Sequence, residues 1–343
     1  MEFWENIRIK WPYVTHSVQR QSVRNLLPPI IENNPGSLLL ARVVQVGRHR
    51  DLESVEGRRM TLFPGDVVVA ALGNRYATDQ YEGAAVCSGT SGYVLGIGGV
   101  CGEVVSRNEK MAEPTSLEWI GRLADQSGEA INLRRFRVRP GKARGKSNPK
   151  TVLSVGAAMN AGKTTTAAQI IRCLAGRGFR VGAAKITGTA CRRDVGTMED
   201  AGAVRVLDFS HCGYSSTAGC SEAELLEIAS DLKAALLEHD PDYLVYEIAD
   251  GILQRESRIL MGDRGFHDSV AGVVYSAPDS LSCESGARML QASGYYVIAM
   301  SGIVANSPLG IAEVESATGI PCMNGRTILA GGLVERLDQF QAA

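Results

Sequence analysis

The residues with the clearest chemical potential lie between 151 and 169, in TVLSVGAAMNAGKTTTAAQ. An apolar run ends at Gly156, and the triplet Gly162-Lys163-Thr164 opens an alanine-rich stretch. Strand, loop and helix in that order form a phosphate cradle, because backbone N–H groups wrap the oxygens and the helix N-terminus adds positive potential. Asn160, Ala161 and Gly162 line the turn, and Gly162 lets the backbone approach a phosphate. Lys163 reaches the β and γ oxygens, and the Thr164 hydroxyl faces Mg²⁺, with Thr165 beside it. Ala157 stands where a strict motif begins with glycine, yet it is small, and Gly156 supplies the freedom to turn. The spacing predicts a nucleotide site using ATP and Mg²⁺.

Such a site needs further charges. Mg²⁺ prefers oxygen ligands, and Glu247, at the end of the apolar run YLVYEIADG, emerges where ligands of open α/β sheets sit. Asp250 follows three residues later and could share the role. Asp200, in TMEDAGA, is a second metal candidate, and Asp194 competes with it. Lys185 ends the run VGAAK and would present a positive charge to a transferred phosphoryl group. Lys163, Lys185 and Glu247 are thus the expected catalytic set. Arg192, Arg193 and Arg255 are candidate anion clamps, since guanidinium pairs bidentately with carboxylate or phosphate; each alone reads first as a surface or salt-bridging arginine. Thr189, Asn160 and Asp250 complete the candidate substrate contacts.

The elements that must position these groups follow from pattern. From Thr151 onward, apolar runs of strand length alternate with helical stretches, which predicts α/β architecture with a doubly wound, mostly parallel sheet. Ser221 with Glu224 three residues later forms a capping box for the helix SEAELLEIASDLKAALLEHD. Upstream, LLLARVVQV, RRMTLF and DVVVAAL read as strands, with a turn at 64–66. The glycines of YVLGIGGVCGEVV precede no helical pattern, so they read as turns or bulges, not as a dinucleotide fingerprint. The expected organisation is an N-terminal arm over 1–36 containing Trp4 and Trp11, a smaller mainly-β domain over 37–133, a basic linker over 134–150 and a nucleotide-binding domain over 151–343. The linker carries eight basic residues and no acidic one.

The ordered set resembles the dethiobiotin synthetase branch of phosphate-loop enzymes, over about 190 C-terminal residues. Gly156 through Thr164 matches that family's loop at equal length, Lys185 its second-strand lysine, and Glu247 the glutamate of its strand end. Asp200 falls near its metal aspartate, and Asn306 in GIVANSP is similar to its base-contacting asparagine. The resemblance implies ATP-dependent phosphorylation of a small carbamate or carboxylate, followed by ring or amide closure. The family's acidic loop residue is Asn160 here, and EIADG replaces its glycine-rich run, which implies related chemistry on a different substrate. Partition-type ATPases carry a second lysine five residues before the loop lysine; that position is Ala158, which disfavours a dimeric switch of their type.

Composition bounds the alternatives. The chain has 343 residues, 45% hydrophobic, 21% charged, with a formal net charge of -1. That balance gives no global attraction to nucleic acid or to anionic membrane, and no apolar run approaches the ~20 residues of a membrane span. The N-terminus MEFWENIRIKWPYV lacks signal-peptide features, so a cytoplasmic enzyme is expected, acting on a small molecule as a homodimer or larger homo-oligomer. A polynucleotide 5′-kinase remains open on the strength of the basic linker, and a nucleotide-dependent switch or metal-delivery GTPase on HCGYSSTAGC. In that segment His211, Cys212 and Cys220 match no common metal-ligand spacing.

Overall fold

The computed structural model describes residues 8–29, 33–141 and 148–341. Trp4 and residues 142–147 of the basic segment lie outside the described residues. The chain folds into two compact units, and its path crosses between them repeatedly. The first unit runs up to Val138 and takes in Gly188–Arg193 and Asp208–Gly219. The second comprises Arg139–Thr187, Asp194–Leu207 and the chain from Cys220 onward. The expected range 151–343 therefore contains two segments that pack with the first unit, where barrel residues supply their partners.

The first unit contains strands β1 (Ile9–Lys10), β2 (Asn25–Leu27), β3 (Leu38–Gln45), β4 (Asp51–Glu53) and β5 (Arg59–Thr61). It continues with β6 (Val67–Leu72), β7 (Tyr81–Ala84), β8 (Ser91–Val94), β9 (Val100–Arg107) and β10 (Ser116–Ala124). Strands β6, β3, β10, β8 and β9 pair in that order, and β9 pairs back onto β6. Closing the ring gives edge N–H and C=O groups partners. The closing pair is parallel and the other four are antiparallel. Residues two apart face the same side of a strand. Leu39, Ala41 and Val43 accordingly join Val68, Ala70, Leu72, Leu117 and Trp119 in one buried core. A Cβ at Gly92 would strike the Trp119 ring, so glycine there makes room for the indole.

The second unit holds β11 (Lys150–Gly156), α1 (Lys163–Ala175), β12 (Val181–Lys185), α2 (Arg192–Asp200), β13 (Arg205–Asp208) and α3 (Glu222–Leu237). After these come β14 (Tyr243–Glu247), α4 (Arg255–Gly262), α5 (Arg264–Asp268), β15 (Gly272–Ser276) and α6 (Ser280–Ala292). The last elements are β16 (Val297–Ser301), α7 (Pro308–Thr318), α8 (Gly325–Ala330) and α9 (Gly332–Gln341). The end residues of α2 and β13 belong with the first unit. The sheet order is β13-β12-β14-β11-β15-β16. Pairs β12–β14, β14–β11, β11–β15 and β15–β16 are parallel. Strands β12, β14, β15 and β16 are buried throughout, as expected where both faces of a parallel sheet are covered. From β11 the chain goes to β12 on one flank and later to β15 on the other. That reversal opens a crevice at the C-terminal strand ends.

The doubly wound, mostly parallel sheet preceded by a mainly-β unit is as the pattern predicts. Three local features differ. IPCM forms no strand; Cys322 makes an isolated parallel bridge to Met300. Helix α2 has only Val195 and Met198 buried, too few apolar positions to mark a helical face in the sequence. Strand β13 is four residues long and begins with an exposed arginine. No helix among the described residues is long and apolar enough to cross a membrane.

The capping box forms as predicted: the Ser221 side chain accepts from Glu224 N–H and the Glu224 side chain from Ser221 N–H. Ser221→Ala is expected to cost about 0.5–2 kcal/mol, read as a lower midpoint in urea unfolding.

Candidate functional site

Three contacts shape the turn between β11 and α1. Gly162, the N-cap of α1, has φ 106°, a conformation that side chains with a Cβ resist, and a Cβ there would lie 2.9 Å from Gly302 Cα. A Cβ at Gly156 would meet Ser276 O at 2.5 Å and Lys163 Cγ at 3.0 Å, so this glycine leaves the lysine its path. Behind the loop, a Cβ at Gly251 would run into the Ala157 carbonyl. Ala157 is thus held between β11 and the Asp250-Gly251 turn, a place where small size matters and glycine's freedom does not. Ala157 N–H donates to Ser276 O at 2.9 Å, and Ile252 N–H to Gly156 O at 3.0 Å.

The loop also touches the end of β16. Ile303 N–H donates to Ala161 O at 3.3 Å, in the 3-10 turn Ile303–Asn306. Ser154 Oγ donates to Lys163 O at 3.0 Å, tying strand to helix start. Asn160 is exposed with φ 59°, a region in which Asn is tolerated better than most residues. Gly156–Thr164 has the shape of a phosphate loop.

Charged groups converge on it. Lys163 is buried, and its Nζ donates 2.6 Å to Ala158 O across the loop. Thr164 Oγ1 donates to Glu247 Oε1 at 2.8 Å. Glu247 is 1% exposed, and its Oε2 has no hydrogen-bond partner. At the end of β12, Lys185 Nζ forms an ion pair with Asp194 Oδ2. Burial pushes the Glu247 carboxyl above its usual range, with Asp194 adding to the effect against the pull of Lys185, Thr164 and Lys163. Burial also lowers Lys163, opposed by the nearby carboxylates of Glu247 and Asp250. Lys163, Lys185, Glu247, Asp194 and Asp250 therefore act on one another at the sheet's C-terminal edge.

No family model matches the chain, and no curated protein matches it. Several solved structures are similar to part of it. One is the 54 kDa signal recognition particle protein of Aeropyrum pernix K1 in complex with GDP, 19% identical, TM-score 0.37, covering 58% of this chain and 51% of that one. A DUF1611 family protein from Anabaena variabilis is 15% identical, TM-score 0.39, covering 63% and 66%. A ParA family ATPase from Chlorobium tepidum TLS is 15% identical, TM-score 0.33, covering 57% and 99%. The chain spans about half the length of the Aeropyrum protein. The phosphate-loop assignment rests on the loop's own geometry.

The other expected site residues are spread over both units. Asp200, expected at the metal, is the exposed last residue of α2, whereas Asp194 in its first turn pairs with Lys185. Six residues of helix separate the two by about 9 Å of rise. Thr189, Arg192 and Arg193 fold with the first unit. Thr189 bridges to Ser216, and the Arg192 and Arg193 N–H groups donate to Glu53 Oε2 at 2.7 and 3.4 Å. Glu53 thus satisfies the helix-start donors of α2. Arg255 is exposed, with its guanidinium on Cys220 O at 2.7 Å and Glu256 Oε1 at 3.1 Å. Thr165 is exposed on the first turn of α1, and Asn306 is exposed at the end of the turn that touches Ala161. His211 and Cys212 belong to the first unit and Cys220 to the second. Gly251 and Gly302, which approach the loop backbone, leave only faint traces in the sequence: an Asp-Gly pair beyond a strand end and a glycine opening GIVANSP.

Gly251→Ala is expected to displace Ala157 and weaken nucleotide binding at least ~10-fold while the far-UV circular dichroism spectrum stays unchanged. Fluorescence titration with a nucleotide analogue measures it.

Proposed function

We propose that this chain binds a nucleoside triphosphate with Mg²⁺ at Gly156–Thr164 and transfers its γ-phosphoryl group to a small, anionic acceptor, with ATP as the nucleotide. The observation that carries the reading is the Thr164–Glu247 pair, whose remaining carboxylate oxygen is buried without a partner. A hydroxyl beside an unsatisfied buried carboxylate fits a hard divalent cation. Thr164 and Glu247 would hold Mg²⁺, with Asp194 in place of Asp200 as the second acidic group. When bound, the ion supplies positive charge to the phosphate oxygens.

The chain's own groups do the rest. Loop N–H groups and the start of α1 bind the phosphates. Lys163, which donates to Ala158 O across the loop, would turn its ammonium to the β and γ oxygens when a nucleotide binds. Lys185, oriented by Asp194, offers a second ammonium where charge accumulates during transfer. Asn306 is the candidate base contact. The acceptor carboxylate or carbamate would be activated as an acyl- or carbamoyl-phosphate, in a kinase or a ligase.

A second reading is a nucleotide-dependent switch, as ATPase or GTPase. It is favoured by the chain path: Gly188–Arg193, between Lys185 and Asp194, folds with the first unit. Phosphate release that depends on an added metabolite supports transfer; release stimulated solely by a protein partner supports the switch.

Lys163→Ala is expected to lower nucleotide turnover by at least ~100-fold, and unchanged turnover would remove the site assignment. Asp194→Asn is expected to weaken Mg²⁺ dependence where Asp200→Asn does not; the reverse result would return the metal role to Asp200. The raised carboxyl of Glu247 means that a proton competes with the cation. Apparent Mg²⁺ affinity should therefore rise with pH through a value above the ordinary glutamate range. Because the folded chain favours the protonated form, this group's contribution to stability falls over the same interval. Glu247→Gln should abolish that pH dependence while nucleotide still binds, as calorimetry at several pH values would show.

A further inference from the structure

A second group of metal-ligating side chains lies wholly inside the first unit, separate from the phosphate loop. His16 follows the 3-10 turn Tyr13–Thr15, Asp208 ends β13, and His211 sits in the 3-10 turn Phe209–Cys212. One ligand atom from each lies within 4.8 Å of the other two. His211 Nδ1 is 3.0 Å from Asp208 Oδ1, and the two imidazole centroids are 4.2 Å apart at 45°. The carboxylate is 1% exposed, whereas the His211 side chain is 18% exposed, which leaves a route in from solvent.

The surroundings hold the carboxylate in one orientation. Tyr13 Oη donates to Asp208 Oδ2 at 2.9 Å, which leaves Oδ1 on the imidazole side. Ser210 N–H donates to Oδ1 at 2.9 Å, the Ser210 hydroxyl does so as well, and His16 Nε2 stands 2.9 Å from that hydroxyl. Burial pushes the Asp208 carboxyl up, but the hydrogen bond and charge of His211, with His16 and Ser210, hold it below the usual carboxylate range. Burial pushes the Tyr13 phenol up, so it stays protonated and donates.

We propose that His16, Asp208 and His211 bind a first-row divalent metal ion of the zinc class, with Asp208 ligating through Oδ1. Two imidazoles and one carboxylate suit Zn²⁺ or Co²⁺ better than the all-oxygen sets of Mg²⁺ or Ca²⁺. Metal–ligand bonds of about 2.0–2.2 Å place neighbouring ligand atoms ~3–3.5 Å apart. Asp208 and His211 already have that separation, and a ring nitrogen of His16 lies within 4.8 Å of both ligand atoms. Tyr13 on the distal oxygen is the kind of outer contact that orients a ligating carboxylate. Three protein ligands leave a fourth position for water or a small molecule. The site stands independently of the nucleotide reading.

A purely structural network would tie the Tyr13–Thr15 turn to Asp208 through the same hydrogen bonds and take up no ion, so metal uptake separates the two. The full-length chain, produced without an affinity histidine tag and stripped with chelator, is titrated with Zn²⁺ alone and with Co²⁺ alone, each in excess Mg²⁺ to occupy oxygen sites. The expected result is one equivalent bound, with visible Co²⁺ bands lacking thiolate charge transfer. His16→Ala and His211→Gln should each weaken binding at least ~100-fold, and Tyr13→Phe about 10-fold. Cys212→Ser should leave it unchanged. Circular dichroism and nucleotide binding, both retained in His16→Ala, separate loss of the metal site from loss of the fold or of the phosphate site. No uptake by the wild-type chain, or equal uptake by His16→Ala and His211→Gln, would overturn the proposal; if His211→Gln does not fold, His16→Ala alone decides.

Discussion

Glu247 places a carboxyl group at 1% exposure on the end of a central strand, and the C-terminal edge of the second unit's sheet is organised around that cost. An ionised carboxylate loses hydration when buried and needs donors or positive charge in exchange. Thr164 supplies one hydrogen bond, while Lys163 and Lys185 supply charge. The compensation is incomplete: one oxygen has no partner, and the carboxyl still favours its proton. An arrangement left short of positive charge in this way is suited to a cation arriving with a polyanionic ligand.

Backbone approach is the second constraint. The phosphate loop is clasped by Gly302 beyond β16 and Gly251 beyond β14, so three strand ends share in shaping it. This is how an alanine serves at position 157: the turn's special conformation is taken by Gly162 and Asn160, and Ala157 needs only to be small. The two lysines then differ in role by position. Lys163 crosses its own loop, whereas Lys185 is held by Asp194 from the first turn of α2.

The first unit meets its own buried charges by capping helix and turn starts. Glu53 receives the helix-start N–H groups of Arg192 and Arg193, and Asp208 caps the turn that carries Ser210 and His211. Barrel closure and these caps together explain why two short segments from the C-terminal part of the chain fold with it. Asp208 differs from Glu53 in being surrounded by imidazoles, and ring nitrogens can exchange a proton or hydrogen bond for a metal.

How much was legible in the sequence follows from which interactions are local. The apolar runs of β11, β14, β15 and β16, the Gly162-Lys163-Thr164 turn and the Ser221 capping box depend on neighbours a few residues away. Their spacing alone therefore determined the parallel sheet, the loop and the placement of Lys185 and Glu247 at strand ends. That Asp194 and not Asp200 pairs with Lys185 depended on helix α2, whose two buried residues leave no readable stripe. The packing of Arg192 and Arg193 with the first unit involves Glu53, more than 130 residues away. His16 and His211 likewise meet across 194 positions separating His16 from Ser210. Spacing along a chain encodes strands, turns and caps because their hydrogen bonds are short-range; which distant side chains share a charge or a ligand is decided when the chain closes on itself.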